Sequence, residues 1–155
     1  RQLHERELRR TYLGFVEGVP EPPSGIVDAA IGRHSSHPHL REVVAREGDP
    51  AVTRYAVLES YGETAALLEL ELESGRTHQI RVHMSHLGHP LLGDVQYGGK
   101  RWTGLNRQAL HAARLSLRQP STGAPLELSA SLPEDLQSLQ LGLRGDGGGG
   151  RAGQK

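Results

Sequence analysis

Histidine and arginine are concentrated in one stretch of this chain, SGRTHQIRVHMSHLGHP, which runs from Ser74 to Pro90 and holds four of the nine histidines. Imidazole is the commonest metal ligand in proteins, and guanidinium is a permanently charged donor to phosphate or carboxylate. The stretch therefore permits three kinds of chemistry. These are a metal site, a contact with nucleic-acid phosphates, and an active site in which a buried arginine holds a carboxylate.

A metal site would use His83, His86 and His89, which are three residues apart, with His78 five residues before His83. Three features disfavour it. His89 follows Gly88 and lies beyond the predicted end of the helix, no carboxylate is interleaved, and the HExxH pattern of metal-dependent hydrolases is absent. A metal-dependent hydrolase that uses these histidines stays an alternative at this point.

The other two interpretations depend on where a helix would place the arginines. Arg76, His78 and Gln79 stand at a predicted helix start, where backbone N–H groups also attract phosphate. Arg81 lies beside the apolar stripe that Ile80 begins, so it can be partly buried and hold a carboxylate in its planar fork. A solvated basic helix face has the same composition, so the spacing alone leaves these alternatives open.

The elements that position this stretch follow from the periodicity on either side of it. The segment 51–73 predicts a hairpin that turns at Tyr61–Thr64. Its second arm alternates Leu68, Leu70 and Leu72 with glutamates, so one face is core and the other is wet. The period changes at Ser74–Gly75, and a helix with its buried stripe at Ile80, Met84 and Leu87 is predicted to end at Gly88.

The rest of the chain predicts an α+β fold with a mixed, largely antiparallel sheet and a few helices. The predicted elements are a strand in TYLGFVEG (11–18), another short strand in GIVDAAIG (25–32), one helical turn at Leu40–Ala45 within a polar excursion, a hairpin with its loop at Pro120–Pro125, and a terminal helix that begins at Pro133. Proline near the first position and two acids in the first turn favour that helix start.

Length and composition bound the class of protein. The 155 residues suit one domain, which we assign to residues 1–140, and the glycine-rich residues 141–155 are predicted to be disordered. The formal charge is zero, but Arg76–Arg118 holds seven Lys and Arg against the single acid Asp94, so this block is basic enough to lie against phosphate.

Several function classes are excluded or disfavoured. The chain has no cysteine, which excludes disulfides and thiolate chemistry, and it has no apolar run near the roughly 20 residues of a membrane helix. We expect a cytoplasmic monomer without a membrane association. Because RQLHERELRR resembles the end of an interrupted helix and the chain starts at Arg1 without methionine, we also expect a piece of a longer protein.

The residues GRTHQIRVHMSHLGHPLLGDVQYG (75–98) closely resemble the signature of the RluA-type pseudouridine synthases. In that family a Gly-Arg-Thr-His-Gln-Ile/Leu-Arg-Val-His run leads into Gly-His-Pro, then Gly-Asp and Tyr-Gly. The resemblance extends upstream to RRTYLGFVEG, GIVDAAIGR and PAVTRYAVLE, and downstream to ALHAARLSLRQPSTGAPLELSASLPEDL. It covers about Arg10 to Leu136.

The resemblance implies an RNA-modifying isomerase that converts uridine to pseudouridine in structured RNA, ribosomal or transfer, with neither a metal nor an organic cofactor. It implies that Arg81 pairs with a nucleophilic aspartate, that Tyr12 stacks near the base and serves in proton removal, and that Ile80 is a wall of the uracil pocket. The substrate-binding candidates at the helix start are Arg76, His78 and Gln79. Arg33, Lys100, Arg101 and Arg107 are further candidate RNA contacts, and Trp102 is a candidate for base stacking or for covering the core.

The chain also departs from the family pattern. The family's nucleophile belongs to a His-Arg-Leu-Asp segment upstream of the tyrosine motif, and none of the five aspartates has that context. The resemblance therefore implies that this chain is the C-terminal portion of the catalytic domain and is inactive alone. The alternative is a non-catalytic RNA-binding module derived from the same fold. Gly14 replaces the family's usual alanine, which loosens the strand that carries Tyr12.

Overall fold

We describe the fold from a computed structural model, which covers residues 8–73, 75–119 and 121–145. Eight strands and two α-helices make up this part of the chain, together with a short 3-10 helix at Val95–Tyr97. The strands and helices are β1 (Arg9–Glu17), β2 (Ser24–Asp28), β3 (Ile31–Arg33), β4 (Arg41–Val43), β5 (Val52–Tyr61), β6 (Ala65–Leu72), α1 (Gln79–His86), β7 (Leu110–Arg118), β8 (Pro125–Ser129) and α2 (Glu134–Gly145).

Six of these strands form one antiparallel sheet in the order β2-β5-β6-β1-β7-β8, and β3 and β4 form a separate two-stranded hairpin. The predicted α+β fold with a largely antiparallel sheet is confirmed, as are the β5–β6 and β7–β8 hairpins. No helix within the described residues is long and apolar enough to span a bilayer.

The two helices cover opposite faces of the sheet. Successive residues of a strand point to opposite faces, and Phe15 and Leu67 pack in one cluster with Leu136, Leu139 and Leu143 of α2. Their chain neighbours Val16 and Leu68 pack in a second cluster with Ile80 and Met84 of α1. The sheet is therefore the middle layer of three, with the histidine-rich helix α1 on one side only.

Cross-strand ion pairs continue along the α2 side of the sheet beyond the helix. Arg114 Nη2 lies 3.2 Å from Glu69 Oε2, and Arg9 Nη1 lies 3.8 Å from Glu71 Oε2. Arg54 Nε donates to Glu73 Oε2 over 2.7 Å. The glutamates of the predicted wet face thus meet arginines from β1, β5 and β7, and we call this set the Arg–Glu ladder.

Two sequence predictions about local structure are wrong in the middle of the chain. The predicted helical turn at Leu40–Ala45 is instead β4, whose Val43 pairs with Ile31 of β3. The β-branched Val43 and Val44 favour this pairing over a helical turn. The segment GIVDAAIG also holds two strands rather than one, because β2 ends at Asp28 and β3 begins at Ile31.

The predictions at the chain ends also need correction. Residues 141–145 belong to α2 instead of a disordered tail, because Leu143 continues the helical stripe of Leu136 and Leu139 and is fully buried. Residues 146–155 of the predicted tail lie outside the described residues. At the other end Arg9 and Arg10 begin β1, whereas the sequence predicts a helix end over RQLHERELRR. Residues 1–7 of that predicted helix lie outside the described residues.

Candidate active site and RNA interface

The Arg81 side chain is clamped by a carboxylate of the same chain. Arg81 Nε donates to Asp94 Oδ2 over 3.0 Å, and Arg81 Nη2 donates to Asp94 Oδ1 over 2.8 Å. The side chains of Arg81 and Asp94 are 13% and 1% exposed, respectively. A bidentate pair fixes the plane of the guanidinium as well as its position, so Arg81 is oriented before any ligand binds.

Two more contacts complete the surroundings of this guanidinium. Arg81 Nη2 donates to Gln96 Oε1 over 2.9 Å, and Arg81 Cζ lies 4.8 Å from the ring centroid of Tyr97. Within the described residues, the other terminal nitrogen, Nη1, donates no hydrogen bond. Arg81 is therefore held on one edge and one face, and one pair of N–H donors is left for a further acceptor.

A tight turn after α1 brings Asp94 to Arg81. Gly93 has a φ of +80°, and a Cβ at this position would lie 2.3 Å from the carbonyl oxygen of Arg107. At Gly99 a Cβ would lie 2.1 Å from the carbonyl oxygen of Leu91. The Asp94 carbonyl accepts from the backbone N–H of Tyr97 and of Gly99. The Gly-Asp and Tyr-Gly pairs of the sequence therefore form a fixed turn.

His78 is the last residue before α1 and adopts a left-handed conformation with a φ of 57°. Its Nδ1 lies 2.8 Å from the Tyr97 hydroxyl oxygen, and that oxygen also accepts from the backbone N–H of Arg41 over 3.0 Å. Burial, together with the positive charges of Arg81 and Arg41, lowers the pKa of His78. This imidazole is therefore neutral at pH 7.

Ile80, the predicted wall of a uracil pocket, and Tyr12, predicted to stack near the base, pack against the same hydrophobic cluster. Ile80 is buried within it, and the half-buried ring of Tyr12 packs onto it from β1. The β1–β7 register shifts between Thr11 and Tyr12, which marks a bulge. A cavity of about 290 Å³ opens there and is lined by Tyr12 with Arg10, Leu115 and Leu128. A bulge re-aims a side chain next to a site, and this one brings Tyr12 to the cavity.

The remaining substrate-binding candidates have different surroundings. Gln79 is buried, and its Nε2 donates to the Val52 carbonyl and to Thr53 Oγ1, while its Oε1 accepts from the Arg76 backbone N–H. These bonds tie the start of α1 to β5. Arg76 is exposed, with its Nε bonded to the Pro50 carbonyl. The other side-chain nitrogens of Arg76 can therefore contact RNA, whereas both ends of the Gln79 amide already have protein partners.

The four histidines of the stretch do not converge. His83 is fully buried, with Nδ1 2.7 Å from Thr53 Oγ1 and Nε2 2.9 Å from the Ala29 carbonyl. His86 is exposed, and His89 Nδ1 lies 2.8 Å from the Glu17 carbonyl oxygen. In the part of the chain that the structure describes, no three His, Asp or Glu side chains form a group that could hold a metal ion.

The remaining candidate RNA contacts divide into two groups. Arg107 forms a bidentate pair with Asp135 at 2.9 and 3.1 Å, and Trp102 packs against the α2 core cluster. Trp102 therefore covers the core. The side chains of Arg33, Lys100 and Arg101 are exposed, so all three are accessible to RNA.

Sequence reasoning missed three residues of this site. The sequence predicts no site role for Asp94, Tyr97 or Arg41, although Asp94 and Tyr97 are the main partners of Arg81. A Gly-Asp pair followed by Tyr-Gly was the available signal for Asp94 and Tyr97. For Arg41 there was no local signal, since β4 meets the start of α1 only in the folded chain.

Comparison with known proteins identifies the family. The model of a family described as RNA pseudouridylate synthase matches residues 1–86. An "uncharacterized RNA pseudouridine synthase" of Chloroflexus aurantiacus is 47% identical over 137 residues, which are 88% of this chain and 42% of that protein. The ribosomal large subunit pseudouridine synthase D of Nitrosomonas europaea is 44% identical over 152 residues, which are 93% of this chain and 43% of that protein.

A solved structure supports the same assignment. Human RNA pseudouridylate synthase domain containing 1 superposes with a TM-score of 0.68 at 28% identity, over 93% of this chain and 69% of that one. The chain spans less than half of the two bacterial relatives. Because the family model matches more than half of the chain and the fold agrees, the chain belongs to the RluA-type family of RNA pseudouridine synthases.

Proposed function

We propose that this chain supplies the arginine-bearing half of an active site that isomerises uridine to pseudouridine in structured RNA, ribosomal or transfer. The observation that carries the proposal is the Arg81 guanidinium, fixed by Asp94 and Tyr97 with Nη1 left over for another acceptor. A fixed cation with a spare donor is suited to hold a nucleophilic carboxylate in its ionised form.

The nucleophile itself is proposed to be an aspartate upstream of this chain. Asp94 is nearest to Arg81, but both of its oxygens already accept from Arg81 and it is 2% exposed, so a nucleotide cannot reach it. Asp135 is committed to Arg107 in the same bidentate way. An attacking carboxylate must be accessible and unpaired. Asp94 is neither, and Asp135, although its side chain is 35% exposed, is paired with Arg107.

The proposed reaction conserves all atoms of the nucleotide. The N1–C1′ bond of uridine breaks, the uracil turns, and a C5–C1′ bond forms. The proton on C5 leaves and N1 gains one. The target nucleotide must first leave the RNA stack. In the proposed reaction Tyr12 would then stack near the detached base and serve in removing the C5 proton, with Ile80 as a wall of the pocket.

Tritium release from RNA labelled at uridine C5 tests this proposal directly. The full-length gene product should release tritium from ribosomal or transfer RNA transcripts, and Arg81→Ala should lower the rate by about 100-fold or more, as expected for loss of a preorganised charged donor. Arg144→Ala is the matched control, since Arg144 is half-exposed and pairs with Glu59 on the opposite side of the sheet. Equal rates for Arg81→Ala and wild type would remove Arg81 from the mechanism.

The second candidate is a non-catalytic RNA-binding module. Within the described residues no accessible aspartate lies beside Arg81, and this observation favours the second candidate enough to test it. It predicts RNA binding by the full-length product with no tritium release from either RNA. A stoichiometric zinc ion retained after exhaustive dialysis would instead support the metal-dependent hydrolase.

A further inference from the structure

A cavity between the β3–β4 hairpin and the start of α1 gathers three arginines from three separate segments. Arg33 lies on β3, Arg41 on β4 and Arg76 just before α1, and all three line a cavity of about 360 Å³. Asp49 is the one carboxylate in the lining. Three guanidinium groups against one carboxylate give the cavity a positive potential that water and salt only partly screen.

Within the described residues none of these three arginines has a carboxylate partner, a property they share with Arg10, Arg46, Arg101 and Arg118. Arg54, Arg81, Arg107, Arg114 and Arg144 all pair with Asp or Glu. The cavity arginines bond only to neutral carbonyls: Arg33 Nη1 to Pro38 and Arg76 Nε to Pro50. A carbonyl orients a guanidinium and leaves its charge uncompensated, which is the arrangement that an incoming anion needs.

Arg41 has an unmet hydrogen-bonding requirement. Its Nη1 is buried and, within the described residues, has no hydrogen-bond partner. A buried charged donor without a partner is unfavourable, and structures keep such groups rarely. An anion in the cavity, which Arg41 lines, would supply an acceptor to this guanidinium.

The same residues connect the cavity to the candidate active site. The Arg41 backbone N–H donates to the Tyr97 hydroxyl, which also contacts His78, and the Tyr97 ring carries the Arg81 guanidinium on its face. An anion held by Arg33, Arg41 and Arg76 would therefore lie on the helix-start side of Arg81. The cavity and the candidate active site are thus linked through Tyr97, which contacts both Arg41 and Arg81.

We propose that this cavity binds a phosphodiester group of the RNA backbone next to the target uridine. The inference rests on the proposed function for the identity of the RNA, but the cavity itself is defined by its own three arginines. Planar guanidinium forks match phosphate oxygens, and this cavity presents three of them.

The test is the salt dependence of RNA binding by the full-length gene product. The slope of log K against log salt should become less negative by about 0.7–0.9 in Arg41→Gln and in Arg33→Gln. This is the absolute change expected for the loss of one phosphate contact. Arg41→Lys should keep the slope because it keeps the charge. Arg54→Gln is the control, since Arg54 is half-exposed and paired with Glu73. In tritium release, Arg41→Gln should raise KM more than it lowers kcat.

Unchanged affinity and slope in both glutamine variants would overturn the proposal. Because Arg33 is exposed, its substitution should not affect folding, so Arg33→Gln alone tests the proposal if Arg41→Gln fails to fold. A second arm measures thermal stabilisation by inorganic phosphate. If the variants lose that effect but bind RNA like wild type, the cavity holds a free anion, and the RNA assignment is wrong. If the wild-type protein binds RNA but releases no tritium, the proposed function is refuted. The salt slopes would still show whether the cavity binds a phosphate of the RNA.

Discussion

Asp94→Asn should destabilise the protein mainly by leaving the Arg81 guanidinium without its counter-charge. The two carboxylate oxygens accept from Arg81 at 2.8 and 3.0 Å, and the side chains are 13% and 1% exposed. Removing one partner of a buried ion pair costs about 3–5 kcal/mol. Asparagine keeps one acceptor oxygen, and Arg81 keeps some contact with water. We therefore expect a loss of about 2–3 kcal/mol in the free energy of unfolding.

A double-mutant cycle separates the pair from the rest of the turn. Arg81→Gln alone should cost a similar amount, because it strands the Asp94 carboxylate in the turn. The double variant should lose less than the sum of the two single losses, with a coupling of about 1–3 kcal/mol. Gln96 and Tyr97 also contact Arg81, so part of the cost of Arg81→Gln will persist in the double variant.

Urea unfolding of the full-length gene product, followed by circular dichroism, measures these quantities. The slope of the free energy with urea should be the same in all variants, which shows that the unfolded state is unchanged. Glu59→Gln is the matched control, because the Glu59–Arg144 pair has the same chemistry but its side chains are 34% and 49% exposed. Surface pairs contribute about 0–1 kcal/mol.

Two results would contradict the reasoning. Additivity of the single losses to within about 0.5 kcal/mol would mean that Arg81 and Asp94 do not interact appreciably in solution. A loss for Asp94→Asn no larger than that of Glu59→Gln would mean that the pair is solvated. In either case Arg81 would not be preoriented, and the proposed site would lose its main support.

Further predictions concern the core, the turn and the pH dependence of folding. Leu143→Ala should lower the free energy of unfolding in urea by about 2–5 kcal/mol because the Leu143 side chain is fully buried. Leu141 is 65% exposed, so Leu141→Ala should change it by about 0.5 kcal/mol or less. Equal losses would contradict the extension of α2 past residue 140. Gly93→Ala should lower the melting temperature more than Gly98→Ala, since both have positive φ but only the first Cβ meets a backbone oxygen; the reverse order would argue against the turn. Burial lowers the pKa of His83 in the folded state, so the unfolded state binds more protons as the pH falls below about 6.5. Wild type should therefore lose stability relative to His83→Gln between pH 8 and pH 5, and a pH-independent difference would contradict the burial of a neutral imidazole.

Local periodicity was sufficient to predict the hairpin and the helix that frame the site. The alternation of leucine and glutamate in β6 and the change of period at residues 74–75 are signals within the segment itself, and the structure has β6 and α1 where they indicated. The end of α2 was missed for the opposite reason. Gly142 argues locally against a helix, but burial of Leu143 outweighs its propensity.

The partners of Arg81 could not be derived from the sequence because they depend on tertiary geometry. A guanidinium binds whichever carboxylate the backbone brings to it, and the approach of Asp94 depends on a turn that only glycine at positions 93 and 99 permits. The same holds for Arg41, which reaches the start of α1 through the β3–β4 pairing. The predicted roles of Tyr12, Ile80, Arg76, His78 and Gln79 in binding RNA stay predictions.

The Arg–Glu ladder also specifies the alignment of the strands. If β6 slid by one residue against β1 and β5, Glu69 and Glu71 would enter the layer under α1, and Leu68 and Leu70 would face water. The Arg–Glu ladder makes the misaligned sheet still less stable, because each glutamate would also lose the arginine that now faces it. These surface pairs, weak as contributions to stability, thus help to exclude wrong pairings while the sheet assembles, and so protect the position of α1 and the arginine it carries.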